Sequence, residues 1–173
     1  PAGEPPRRRS RPIGTYTQED SPHMERTLII FKPDCVQRLL VGRILQRFEE
    51  KGLRIVAMKM QQSPRAQVEQ HYAVHKERPF YGELVSFMTS GPVIVAILEG
   101  PGAIAVVRNM LGATNGAAAA PGTIRGDFGI DKQYNLVHAS DSPETAKTEI
   151  ELFFKPEEIV PRNYAIDRWV ISA

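Results

Sequence analysis

Apolar and polar positions follow two different periods along this chain, and the switches between those periods mark its elements. Thr27-Leu28-Ile29-Ile30-Phe31 is an unbroken β-rich apolar run, the pattern of a strand buried on both faces. It stops at Lys32-Pro33-Asp34, where proline ends the ladder and a charge leaves the core edge. Val41, Ile44, Leu45 and Phe48 recur at i, i+3, i+4 and i+7 before Gly52, which predicts a helix with a glycine stop. Leu53, Ile55 and Ala57 alternate with Arg54, Val56 and Met58, predicting a second strand over 53–60. Ser63-Pro64 then reads as an N-cap with proline at the first helical position, opening a helix to about His75.

A short helix is expected over 81–89. Gly91-Pro92 breaks it, and residues 93–98 form the most apolar strand candidate in the chain. Residues 103–111 predict a helix with Ile104, Val107 and Leu111 on one face, and with Arg108 and Asn109 pointing away from it. Residues 112–134 lack periodicity; a loop this long in a compact domain is more often functional than idle. Leu136-Val137 predicts a short strand, and Ser142-Pro143 caps a last helix with Ala146, Ile150 and Phe153 facing inward. Glu149 falls on or beside that buried face. The order strand, helix, strand, helix pair, strand, helix, loop, strand, helix has two βαβ-like halves. It predicts an α+β, ferredoxin-like βαββαβ fold: a four-stranded antiparallel sheet with helices on one face. From Phe154 onward Ile159, Val160, Tyr164 and Trp169 follow no period, as in a strip laid over another surface.

Composition changes this picture mainly at the N-terminus. Residues 1–24 carry five prolines and four clustered arginines and almost nothing apolar, which predicts an extended arm ahead of a domain over 25–173 with its tail at 155–173. That arm has no apolar core of a secretory signal. Its arginines make an organelle, the mitochondrion, the alternative to a cytoplasmic location. A net charge of +2 is too small to imply a nucleic-acid partner by itself, although the arm makes one conceivable as a secondary partner. No apolar run approaches the roughly 20 residues of a membrane span. The single cysteine, Cys35, precludes an intrachain disulfide.

His138 is the candidate with the most specific setting. It ends a short apolar run directly before a capped helix, where a side chain is held rigidly and still reached by solutes. Its imidazole can be a neutral nucleophile at pH 7. Lys32, Arg108 and Arg125 lie at element ends or in loops, where cationic donors converge on phosphate. Each taken singly is more simply a solvated charge. Neither a P-loop nor a Gly-x-Gly-x-x-Gly fingerprint is present. Of His23, His71, His75 and His138, only His71 and His75 share helical i, i+4 spacing, and nothing completes a metal site around them. Arg125-Gly126-Asp127 matches an adhesion tripeptide by spelling alone and carries no weight.

Four blocks in order carry a resemblance. They are Lys32-Pro33-Asp34, Thr89-Ser90-Gly91-Pro92, residues 121–128 (PGTIRGDF) and Asn135-Leu136-Val137-His138-Ala139-Ser140-Asp141. Over residues 25–154 the chain resembles the nucleoside diphosphate kinases, and its tail is similar to the longer, eukaryotic-type C-terminus of that family. The resemblance implies a ping-pong transfer of the γ-phosphate of a nucleoside triphosphate such as ATP to a nucleoside diphosphate. His138 Nδ1 would be the nucleophile and phosphohistidine the intermediate. Glu149 would bind the other ring nitrogen with Ser140 in support, and Tyr72 would stand beside the histidine. Lys32, Arg108, Thr114 and Arg125 would meet the phosphates, Asn135 the sugar, and Phe80 the base. Mg²⁺ would arrive on the nucleotide phosphates, with no metal ligand supplied by the protein. The family also implies a homohexamer, with the 112–134 loop and the tail at subunit contacts.

The chain departs from the family pattern at Cys35 and Leu39, both usually glycine, and at Ala139, where glycine is commonest. At Gly116 many members have proline, which bears on loop rigidity and hexamer contacts. A nucleic-acid-binding or scaffolding protein using the basic arm is the alternative, and it predicts damage at His138, Lys32 or Arg125. None is present. A ferredoxin-like regulatory module leaves the coexistence of nucleophile, cations and base-stacker unexplained.

Overall fold

The computed structural model describes residues 24–160 and Val170; the arm over 1–23, Tyr164 and Trp169 lie outside the described residues. Four strands, β1 (Met24–Phe31), β2 (Arg54–Gln61), β3 (Val93–Pro101) and β4 (Val137–Ala139), form one sheet in the order β2-β3-β1-β4. Every neighbouring pair is antiparallel, with Ile30 opposite both Val95 and His138. This is the ferredoxin-like order.

The two crossover helices, α2 (Val41–Glu50) after β1 and α5 (Ala103–Leu111) after β3, cover one face together with α1 (Pro33–Gln37). The expectation that helices occupy only one face is corrected. Leu28, Ile30, Val95 and Ile97 form a second core with Val68, Val85 and Phe153. Those residues belong to α3 (Arg65–His71), α4 (Tyr81–Met88) and α7 (Pro143–Phe153). The physical reason lies in β1 itself: Ile29 and Phe31 face the first core, Leu28 and Ile30 the second, and all four are at most 1% exposed. A strand apolar at both parities has no face to give to water.

Several boundaries differ from those read off the chain. Pro64 is the N-cap of α3 and not its first helical residue, because the Ser63 hydroxyl accepts from Gln61 Nε2 and caps nothing. The helix stops at His71, and a separate 3₁₀ turn covers Ala73–His75. α1, with proline at its first position, is too short to show a period. The aperiodic stretch contains a 3₁₀ turn (Gly116–Ala118) and α6 (Ile124–Phe128), capped by the Thr123 hydroxyl, which accepts from Gly126 N–H. Gly116 does not loosen that loop. Its N–H donates to the Asp131 carbonyl at 3.2 Å, and a Cβ there would overlap the Gly129 backbone. At the other edge, a bulge at Val56 frees its carbonyl, which accepts from Val160 N–H at 2.9 Å. Lys59 also pairs with Glu158 at 2.7 Å, so residues 154–160 do lie as a strip along β2.

Leu39 has φ of 56° and is 86% exposed, so its side chain gains nothing for the left-handed conformation it adopts. That conformation costs a leucine roughly 1–2 kcal/mol, partly offset in glycine by its looser unfolded chain. Leu39→Gly is therefore expected to stabilise by about 0.5–1 kcal/mol and raise the midpoint of thermal unfolding by ~1–4 °C. An unchanged or lower midpoint in calorimetry would contradict this.

Candidate active site

β4 and α7 together deliver the nucleophile candidate. Pairing with Ile30 fixes His138, and the Ser142 cap, with Thr145 completing a capping box, starts α7 four residues later. Two turns into α7, Glu149 Oε1 lies 2.9 Å from His138 Nε2, and Ser140 Oγ donates to Glu149 Oε2 at 2.6 Å. Ser140 is itself fixed by Leu28 N–H, 3.2 Å from its Oγ. Burial alone would raise the Glu149 carboxyl; the bonds from His138 and Ser140 outweigh it and hold the group below its ordinary value. An ionised Glu149 accepts from Nε2–H, and that tautomer leaves the lone pair on Nδ1. Nδ1 has no hydrogen-bond partner among the described residues.

His138 lines a cavity of about 1560 Å³, shared with Lys32, Tyr72, Phe80, Arg108, Thr114, Arg125, Asn135 and Glu149. Of the residues singled out in the sequence only Ser140 lies behind the wall, 1% exposed. Lys32 is buried at the end of β1, and its Nζ donates to Asn135 Oδ1 at 2.8 Å. Burial, with Arg125 nearby, lowers its ammonium to about 8, while Asp34 opposes the shift. Asn135 gives both amide hydrogens to carbonyls, those of Thr114 at 3.0 Å and Lys132 at 2.7 Å. Its first task is therefore to hold Lys32. Arg125 is buried, and its guanidinium donates to the carbonyls of Asn135, Gly112 and Val137 at 3.2, 3.2 and 2.6 Å. Burial and the neighbouring Arg108 lower it to about 10, so it stays charged at neutral pH. Arg108 and Thr114 are exposed at the rim, and Phe80 presents a ring 45% exposed beside His75.

The chain just before His138 is strained. Leu136 has φ of 72°, and Val137 N–H donates to the Asn135 carbonyl at 2.8 Å across it. This is a γ-turn of the rare, left-handed kind.

His71 was not legible as a site residue. Its ring stands edge-on to His138 with centroids 4.6 Å apart and edge-on to Tyr72 at 4.4 Å. Both of its nitrogens are buried without a hydrogen-bond partner, and burial, then the His138 charge, lowers it to about 3. It is neutral at pH 7. The sequence signal, pairing with His75, pointed elsewhere; α3 meeting β4 and α7 makes the contact. The donor atoms of His71, His138 and Glu149 lie within 4.8 Å of one another. This nitrogen-rich set, beside three cationic side chains, does not suit Mg²⁺, which takes oxygen ligands. Cys35 is fully buried and its thiol is pushed up to about 12 by burial, which makes it inert.

A family model described as nucleoside diphosphate kinase matches residues 25–159. The chain belongs to the nucleoside diphosphate kinase family. A kinase of this family from Archaeoglobus fulgidus is 56% identical over 147 residues, covering 85% of this chain and 97% of that one. One from Halalkalibacterium halodurans is 53% identical over 147 residues, covering 85% and 100%. Among solved structures, the halophilic nucleoside diphosphate kinase from Halobacterium salinarum in complex with CDP superposes with a TM-score of 0.85. It is 45% identical and covers 87% of this chain and 100% of that one. A family member from Babesia bovis superposes at 0.82 with 48% identity, covering 84% and 99%. As a nucleoside diphosphate kinase the chain is a phosphotransferase whose substrates are nucleotides. Among the described residues no helix is long and apolar enough to cross a membrane.

Proposed function

We propose that this nucleoside diphosphate kinase works by a ping-pong mechanism through phosphohistidine at His138. The observation that carries the reading is the Ser140–Glu149–His138 chain, which leaves the Nδ1 lone pair free in a cavity walled by cations. Nδ1 attacks the γ-phosphorus of a bound nucleoside triphosphate. The N–P bond forms as the bond from phosphorus to the β,γ-bridging oxygen breaks, and the diphosphate leaves with that electron pair. A terminal oxygen of a second nucleoside diphosphate then attacks the phosphohistidine, and Nδ1 recovers its lone pair. Glu149 holds the Nε2 proton throughout and stabilises the cationic ring that the first transfer creates and the second discharges.

Lys32, Arg108 and Arg125 serve the phosphates, where fixed positive charge meets the charge that develops in transfer. Arg125 spends three of its five N–H donors on carbonyls and keeps two for phosphate. Thr114 supplies a hydroxyl at the rim, and the remaining lone pair of Asn135 Oδ1 meets the sugar. Phe80 offers a face on which any base can stack, and Tyr72 packs beside His138. Mg²⁺ fits here only as an ion carried by the nucleotide, where it neutralises phosphate oxygens. The halophilic relative is solved in complex with CDP, which supports diphosphate binding by this chain. A homohexamer is proposed on the family pattern, supported by Met60 on the edge strand and Ile130 in the loop, which are 61% and 85% exposed. Light scattering of the purified chain gives its mass directly.

Incubation with ATP labelled in the γ-phosphate is expected to leave an acid-labile, alkali-stable label on His138, discharged by any added nucleoside diphosphate. Turnover without a labelled protein species would exclude the ping-pong route. Glu149→Gln is expected to slow phosphorylation by roughly 10²–10⁴-fold, because an amide N–H facing Nε2 selects the tautomer with its proton on Nδ1. Single-turnover rates within twofold of the wild type would show that Glu149 does not set the tautomer.

A further inference from the structure

Asp34 has no part in the mechanism above, yet it sits at its hinge. It lies in the first turn of α1, two residues after Lys32, and lines the cavity. Its Oδ2 accepts from Leu136 N–H at 3.1 Å, while Lys32 N–H donates to the Leu136 carbonyl at 2.9 Å. Both backbone polar groups of the left-handed residue are thus held by one short turn. A leucine at positive φ costs roughly 1–2 kcal/mol and persists only where its surroundings over-determine it. The Leu136 side chain is fully buried, so relaxation of this turn would pull it from the core. Asn135, which holds Lys32 Nζ, and Val137, next to the nucleophile, would move with it.

The second carboxylate oxygen is the more telling. Asp34 Oδ1 is buried with no hydrogen-bond partner. Holding Leu136 N–H needs one acceptor, which an amide or hydroxyl supplies without burying a charge. The charge has a use in Lys32, whose ammonium burial and Arg125 on α6 drive towards neutrality and which Asp34 supports. His71 on α3, which interacts with Lys32, is neutral, and the thiol of Cys35, which faces Asp34 and Arg38, is inert; His138 and Glu149 share the cavity. Burial raises the Asp34 carboxyl above its ordinary value, against the Leu136 N–H, the Lys32 charge and the nearby backbone N–H groups of Cys35 and Asp34, which favour its ionised form.

Resting on the phosphohistidine reading, we propose that Asp34 is a positioning residue for phosphoryl transfer. One oxygen locks the left-handed turn ahead of His138, and the negative charge keeps Lys32 an ammonium.

The test uses the full chain, its Asp34→Asn and Asp34→Ala variants, single-turnover phosphorylation by ATP across pH 6–10, and thermal unfolding. Asn keeps an acceptor for Leu136 N–H and removes the charge. Its rate at pH 6.5 is expected within a few-fold of wild type, with the alkaline limb moved about one unit lower as Lys32 loses its counter-charge. Ala loses acceptor and charge, and is expected to be at least about tenfold slower at pH 6.5 as well. An alkaline limb unmoved in Asp34→Asn, or an Asp34→Ala rate equal to wild type at pH 6.5, overturns the proposal. NMR titration of the Lys32 ammonium in the wild type stands independently of whether the variants fold. A midpoint near 8 is expected there, and a lower one in Asp34→Asn; a Lys32 midpoint unmoved by Asp34→Asn overturns the counter-charge role. If the wild type carries no phosphohistidine, the ping-pong reading fails instead, and the Lys32 midpoint in Asp34→Asn still decides whether Asp34 holds that charge.

Discussion

Replacing His138 with alanine is expected to lower turnover by about 10⁴–10⁶-fold, the scale seen when an enzyme loses its covalent nucleophile. The loss should fall on the chemical step and leave binding almost intact. Lys32, Arg108, Arg125 and Phe80 hang from other elements, β1, α5, α6 and the start of α4, and none is bonded to the imidazole. Nucleotide affinity measured by calorimetry should therefore stay within a few-fold of the wild type while the acid-labile label disappears. Folding should survive too. The ring is 22% exposed, and its removal costs Glu149 one hydrogen bond while the Ser140 bond remains. About 1 kcal/mol is a fair expectation for that loss. Full labelling in His138→Ala would place the nucleophile elsewhere and sink the mechanism. A tenfold loss of affinity would show that the histidine binds substrate and does not merely react with it.

The second large effect is on stability as well as rate. Arg125→Ala removes the donor for three backbone carbonyls, those of Gly112, Asn135 and Val137. A buried carbonyl left unpaired costs about 1–3 kcal/mol. Water entering from the cavity and relief of the buried guanidinium offset part of the sum, so a net loss of about 3–5 kcal/mol is expected. For a domain of this size that lowers the thermal midpoint by roughly 6–20 °C. Asn135 and Val137 flank the left-handed turn, so the rate should also fall, by about 10²-fold or more, when measured well below the transition. Arg125→Lys should rescue little, because one ammonium cannot span three carbonyls in different directions. A midpoint within 2 °C of wild type for Arg125→Ala would show that these bonds are replaced by water at no cost.

The same substitution carries a sign that can be checked separately. Arg125 lowers the Lys32 ammonium and Asp34 raises it. Removing the arginine should move the alkaline limb of the rate upward, and neutralising Asp34 should move it downward. Opposite movements from two neighbours of one lysine are hard to produce by general damage to the site.

Much of this was legible along the chain. The apolar stripe of α5 gave its boundaries, because a helix that buries one face repeats that face in its sequence. The Ser142-Pro143 start of α7 was legible for a local reason: an N-cap is satisfied within four residues of itself. The continuous run of β1 already implied a strand covered on both sides, although the second layer of helices was not drawn from it. The short helices α1 and α6 escaped, since five residues show no period and their ends are set by proline, a threonine hydroxyl and contacts from afar.

The candidate site divides along the same line. The types and order of the chemical groups were determined by the sequence alone: one histidine before a capped helix, a carboxylate two turns into it, and three cations at element ends. What those groups face was decided by tertiary structure. Nothing local marks His71 as the neighbour of His138, or Asp34 as the support of Leu136. Leu136 is the clearest case. Positive φ is written into a sequence by glycine, and here a leucine adopts it because Asp34 and Lys32, far away along the chain, and Arg125 on α6 hold the peptides around it. A sequence records what each residue prefers; a conformation that runs against preference exists only where the fold supplies the bonds that hold it.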